Sequence, residues 1–236
     1  MSRNQGLILI VATAIGWAAI SQLQAADPPT AAEAAKQITL DIKLPKELFI
    51  GTPENLKGLK NLEIQKNPRP PFVVPAGTTN LALKKKVTSS DMWPIIGDLS
   101  DITNGDKDGN NFVELGAGRQ WVQIDLGKPA DIYAVVVWHS FQKARVYHGV
   151  VVQISDDPDF IKDVKTIFNN DIDNSHRLGA GKDQKYIDNN RGKLIDAKDD
   201  KGQPVKGRYI RLHSNGNTEN DMNHYVEVEV YGKTAK

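Results

Sequence analysis

From Asn80 to the end of the chain, apolar residues come in short runs separated by turns rich in Gly, Asn and Asp, and no stretch holds a 3.6-residue period. That pattern admits strands and excludes a helical bundle. WVQIDLG (121–127) alternates, with Val122, Ile124 and Leu126 on one face. IYAVVVW (132–138) is almost continuously apolar, as a strand buried on both faces must be. GVVVQIS (149–155) runs into the turn DDPD, and KTIF (165–168) follows as a brief strand. RYIRLH (208–213) puts Ile210 and Leu212 inward, and YVEVEVY (225–231) is read with Val226, Val228 and Val230 on one face. Regular short strands with turn signals predict an all-β fold, an antiparallel sandwich.

What precedes residue 80 cannot join that sandwich as central strands. Eight of the 12 prolines fall between Pro28 and Pro75, each lacking a ladder donor. Residues 26–79 therefore read as an extended arm, its scattered Leu48, Phe49, Ile50, Leu56, Leu59 and Leu62 lying in surface grooves of the main domain; the alternative is a disordered linker. AAEAAK (31–36) has room for a short helical turn. At the start, Arg3 precedes the apolar run LILIVATAIGWAAI (7–20) and then SQLQAAD. A run of 14 residues is shorter than the ~20 a bilayer span needs and matches a secretory signal peptide over 1–25, with cleavage after Ala25 or Ala26. An uncleaved anchor is the alternative. The expected location is outside the cytoplasm: periplasmic, cell-surface or secreted, with no membrane span after cleavage.

Charge and cysteine usage narrow the function. Thirty Lys and Arg oppose 29 Asp and Glu, and loss of Arg3 with the signal leaves 29 of each. A neutral chain has no basic field to hold nucleic acid. The absence of cysteine removes disulfides, thiolate metal sites and a Cys nucleophile. None of His139, His148, His176, His213 and His224 stands at a compact zinc-ligand spacing. G-x-S-x-G is absent, and although Glu227 and Glu229 share a strand face at ~7 Å, nothing else in the chain suggests a glycosidase. The expectation is a protein that is not an enzyme.

NLAL (80–83), VTSS (87–90), ITNGDKDG (102–109), WVQIDLG, VVVQISDDPDF, GRYIRLHSNG and VEVEVYG follow one another in the order of a discoidin, or coagulation factor 5/8 type C, domain. The chain resembles that family, which includes the family 32 carbohydrate-binding modules, over about residues 80–232. The resemblance implies a galactose-binding-like jelly roll from residue 80 to 236. The polar stretch 169–204 has no counterpart in it and stands as a long insertion and a candidate functional element.

Two constellations carry candidate chemistry. The loop Asp101–Asn111 is dense in the hard oxygens that calcium prefers, but it is not an EF-hand, since the sixth position from Asp106 is Asn111 and the twelfth is Ala117. The resemblance implies a structural calcium held by Asn104, Asp106 and Glu227, with Asp108 and the Ile102 carbonyl as further oxygens. Asn104 replaces the aspartate common in similar domains, so one ligand charge is lost. The alternative is a solvated Asx-rich turn. The second constellation is the segment from His139 to His148, which in similar domains contributes to the ligand-facing loops. Phe141 offers a ring, and His139, Arg145 and His148 offer donors; Trp93 in DMWP is either a stacking platform from a neighbouring loop or a plug in the barrel end. A sugar needs such a face and such donors. The expected function is non-catalytic binding of a glycan at one end of the jelly roll. The alternative is a structural or protein-interaction role in the cell envelope, with contacts made by the arm and the insertion.

Overall fold

The computed structural model describes residues 37–48, 56 and 58–234. The expected signal peptide, the AAEAAK turn and Phe49 and Ile50 of the arm lie outside them. Among the described residues there are eleven strands: β1 (Gln37–Thr39), β2 (Val73–Pro75), β3 (Thr79–Asn80), β4 (Lys86–Ser89), β5 (Val113–Leu115), β6 (Arg119–His139), β7 (Val151–Ser155), β8 (Lys165–Asn169), β9 (Lys193–Asp196), β10 (Val205–Asn215) and β11 (Asn223–Thr234). All pairings between them are antiparallel. The order β3-β11-β6-β10-β7-β8 forms the sandwich, with β4 and β9 added on β6 and β5 on β11. No helix among the described residues is long and apolar enough to cross a membrane.

The runs WVQIDLG and IYAVVVW, which read as separate strands, are one strand of 21 residues, β6. Its first half pairs with β4 and β10, and its second half with β9 and β11 and, at residues 130–132, again with β10. The join is the exposed Gly127-Lys128-Pro129, where Gly127 has φ +88°. Glycine adopts that value without a Cβ penalty, so the strand bends there instead of ending. One strand thereby serves both layers of the jelly roll.

Two apolar clusters result. The first lies between the layers and includes Val122, Ile124, Leu126, Val135, Val137, Ile210, Leu212, Val228 and Val230. The second lies on the opposite face of β6 and β11, where Ala134, Val136, Trp138, Phe141, Val226 and Tyr231 meet Leu40, Ile42, Leu48 and Phe72 from the arm and Leu194 from β9. This second cluster is why 132–138 is apolar at every position. It also corrects the reading of YVEVEVY: Tyr225 and Val226 together oppose His139, a bulge that turns Val226 away from Val228 and Val230 and into the second cluster.

The arm and the insertion hold each other. Residues 61–63 run beside Lys185, with Glu63 N donating to Lys185 O at 2.7 Å and Lys185 N to Asn61 O at 2.9 Å. Asn190 Nδ2 donates to Pro45 O at 3.0 Å, and Trp138 Nε1 donates to Asn190 O at 2.9 Å. Gly192 lies flat on the Trp138 indole, with φ +62° and room for no Cβ, which would come within 2.6 Å of the ring.

Candidate functional site

Two loops converge at one end of the sandwich. The loop after β4 is braced by Asp91, whose carboxylate accepts from Trp93 N at 3.1 Å and from Gly116 N at 2.8 Å. Ile95 N donates to Glu114 O at 2.7 Å and Glu114 N to Ile96 O at 2.9 Å. The backbone is therefore fixed while the tips stay out: Trp93 is 84% exposed, and Met92, Ile95 and Ile96 are also exposed. Trp93 is not a plug in the barrel.

The acidic loop begins as a 3-10 turn, Leu99–Thr103, and continues as a run of Asx turns. Asn104 Oδ1 accepts from Asp106 N at 2.6 Å, Asp106 Oδ1 from Asp108 N at 2.9 Å and Asp108 Oδ1 from Asn110 N at 3.1 Å. Asn111 Nδ2 donates to Asp106 Oδ2 at 2.9 Å. Ile102 is buried beneath them. Glu227 enters from β11, fully buried, with Oε2 accepting from Gly105 N at 3.1 Å and Oε1 without a partner. Burial pushes its carboxyl up to about 8, against the Gly105 N–H; the charge of Glu229 adds to the rise. A buried carboxylate oxygen with no partner is costly, and a cation is one way to satisfy it. Among the described residues no three His, Asp or Glu side chains converge as a metal-holding group. An ion here would rest on Glu227, one aspartate, and amide or carbonyl oxygens, which is chemistry calcium accepts.

Between the loops lies a cavity of about 370 Å³, lined by Asp101, Asn104, Asp106, Asn110 and Asn111 with Ile96, Phe112 and Val226. Amide and carboxylate groups thus share the wall with apolar side chains, and Trp93 projects from the same loop as Ile96.

The segment 139–148 does something else. His139 and Phe141 are 0% exposed and Arg145 is 8% exposed, so the expected ring and two of the three expected donors are not exposed. The reason is packing from three sides. Phe141 belongs to the second apolar cluster and its ring presses on Gly109, where a Cβ would come within 2.7 Å. His139 stacks on Tyr147 with centroids 4.3 Å apart, and its Nδ1 meets Asp188 Oδ1 of the insertion at 3.1 Å. Asp188 N donates to Arg145 O at 2.9 Å. Burial raises the Asp188 carboxyl, with His139 and Arg145 opposing. His148 is half-buried, and burial lowers its pKa. Nearby, Tyr147 OH meets His224 Nδ1 at 2.9 Å and His224 Nε2 meets Glu114 Oε2 at 2.9 Å. Glu114, Asp188, Tyr147 and His224 form no group in the sequence. They come from four separate segments, and no local spacing could have joined them.

Of the candidate residues, Asn104 and Asp106 line the loop-end cavity, Trp93 and Asp108 sit on its loops, and Glu227 lies beneath; His139, Phe141 and Arg145 are in the core. The sequence profile of the F5/8 type C domain matches residues 86–228. Comparison with curated proteins gives no match. Among solved structures, the CBM32 module of AlyQ in complex with 4,5-unsaturated mannuronic acid is 18% identical, over 61% of this chain and 92% of that one, with a TM-score of 0.43. A truncated AlyQ with CBM32 and alginate lyase domains is 18% identical over 64% of this chain, with a TM-score of 0.45. This chain spans only 32% of that one. Chitosan-binding module 1 from a chitosanase/glucanase of Paenibacillus sp. IK-5 is 19% identical, over 65% of this chain and 99% of that one, with a TM-score of 0.42.

Proposed function

Because the chain belongs to the F5/8 type C domain family, we propose that it is an exported, non-catalytic carbohydrate-binding module that holds a glycan at the loop end between residues 91–97 and 101–112. The observation that carries this reading is the 370 Å³ cavity, where Asn104, Asn110 and Asn111 surround Phe112 and Ile96. Sugar hydroxyls need directional partners to replace water, and the C–H face of a sugar ring needs an apolar surface. Both are present in one cleft. Export rests on the charge-then-apolar order of residues 3–20. A structural calcium under the cleft, on Glu227, Asp106 and Asn104, belongs to the same proposal; the partnerless Oε1 of Glu227 supports it.

A glycan array on the full chain tests the reading, followed by calorimetry on whichever glycan binds. Asn111→Ala and Trp93→Ala should each weaken that binding about tenfold, ~1.4 kcal/mol. No specific glycan, or a glycan whose affinity neither variant changes, would refute the site.

The exposed Met92, Trp93, Ile95 and Ile96 favour a second reading, in which the same loop meets an envelope protein. Co-purification of one stable partner, lost in Trp93→Ala and indifferent to glycan, would select it.

A further inference from the structure

We infer that the seam between the arm and the insertion is a second ligand site, which takes a small organic carboxylate carried on a ring with an apolar face; a uronic acid is the fitting class. It does not rest on the loop-end site.

The seam encloses a cavity of about 320 Å³, between residues 63–72 of the arm and 191–194 of the insertion. That is the small end of the ~300–1,000 Å³ range of ligand clefts, room for one sugar-sized body. Two guanidiniums lie in its wall, and among the described residues both donate to neutral oxygens. Arg69 Nη2 donates to the carbonyls of Arg191 and of Gly192, the latter at 2.6 Å. Arg191 donates from Nη1 to Lys66 O at 2.6 Å and from Nη2 to Gln65 Oε1 at 2.8 Å. Among the described residues the one carboxylate in the wall, Glu63, is engaged by Lys193. Among the described residues, neither arginine has a carboxylate partner in an ion pair.

Lys66, Arg69, Arg191 and Lys193 against Glu63 leave a local excess of positive charge in a chain that is otherwise near neutral. The excess is felt at Arg69. Burial first, then the charge of Arg191, hold the Arg69 guanidinium below the usual arginine range, and Glu63 offsets this in part. A half-buried pair of like charges is stabilised by an anion, and a guanidinium presents donors in the fork that a carboxylate matches. Beside Gln65 and Gly192 the rest of the wall is apolar: Pro70, Pro71, Phe72 and Leu194, with Ile64 92% exposed at the cavity. A bare inorganic anion would leave those surfaces in water. A carboxylate on a ring covers them.

The test is calorimetric titration of the full chain with galacturonate, with galactose as the uncharged parent and sulfate as the ringless anion. Galacturonate should bind at least tenfold more tightly than galactose, and added sodium chloride should weaken it. Arg191→Gln should lower its affinity at least tenfold. Since Arg191 also bonds the arm, Ile64→Asp is the second variant: it alters only an exposed side chain, places a carboxylate beside the cavity, and should also lower the affinity at least tenfold. Asn111→Ala, at the loop end, should leave galacturonate binding unchanged. Equal binding of galactose, or unchanged affinity in both seam variants, would overturn the proposal. So would sulfate binding as tightly as galacturonate, which would mark a general anion hole, or loss of galacturonate in Asn111→Ala, which would place the sugar acid at the other end.

Discussion

The segments 91–111 and 139–148 have the same ingredients in sequence: aromatic rings, charged donors and small polar residues between strands. One presents its apolar tips to solvent and the other is buried. The difference lies in what surrounds each. Residues 91–111 bond part of their own backbone through Asp91, Asn104, Asp106 and Asp108, and their bonds to Glu114 and Glu227 fix the backbone without covering the tips. Residues 139–148 leave a strand already buried on both faces, and the insertion closes over them through Asp188. Loop composition therefore does not decide exposure; the partners supplied by distant segments do.

The sharpest way to break this comparison is to truncate one ring from each segment. Phe141→Ala should cost ~3–5 kcal/mol of unfolding free energy, and Trp93→Ala no more than ~0.5 kcal/mol. Urea denaturation of both variants measures it, and equal losses would erase the distinction. Next in size is metal removal from the exposed end. If calcium occupies the Glu227 pocket, chelation should remove ~2.7 kcal/mol relative to calcium at a hundred times its Kd, lowering Tm, and Asp106→Ala should abolish the response. A melting curve indifferent to chelator would leave the acidic loop as a self-bonded Asx turn.

The smallest effect is read through pH, in the buried polar groups. Burial, with His176 and Arg211 adding to it and Asp171 opposing, depresses His213 to about 3. Unfolded, it titrates near ~6.5, so between those values the unfolded chain binds the extra proton. The stabilisation is whole above pH ~6.5 and declines as pH falls towards the folded value, by ~2 kcal/mol at pH 5. His213→Asn should lose that share of the pH dependence, measured as the difference in stability between pH 7 and pH 5. An unchanged difference would show that His213 protonates in the folded state.

The antiparallel sandwich was legible because alternation in RYIRLH and continuity in IYAVVVW report directly which faces are covered. What covered the second face of IYAVVVW was not legible. Leu40, Leu48 and Phe72 are scattered among prolines with no period, and their role appears only when the arm is laid on β6. The bulge at Tyr225 and Val226 was hidden for a related reason, since register belongs to a pair of strands. At the site, the Asx density of 101–111 could be read locally. The burial of Arg145 and His139 depends on Asp188, whose segment carries no pattern of its own.

The pairing of the arm with the insertion also sets an order of events. Asn61 meets Asp183 across 122 residues of chain, and Lys193 meets Glu63 across 130. Closing contacts that far apart is what slows β-rich domains relative to helical ones. During synthesis the arm emerges early, but its bonds to the insertion wait until residues 183–194 exist. The insertion cannot lock the arm in place before it is made, and until the arm docks the outer face of β6 stays open to aggregation.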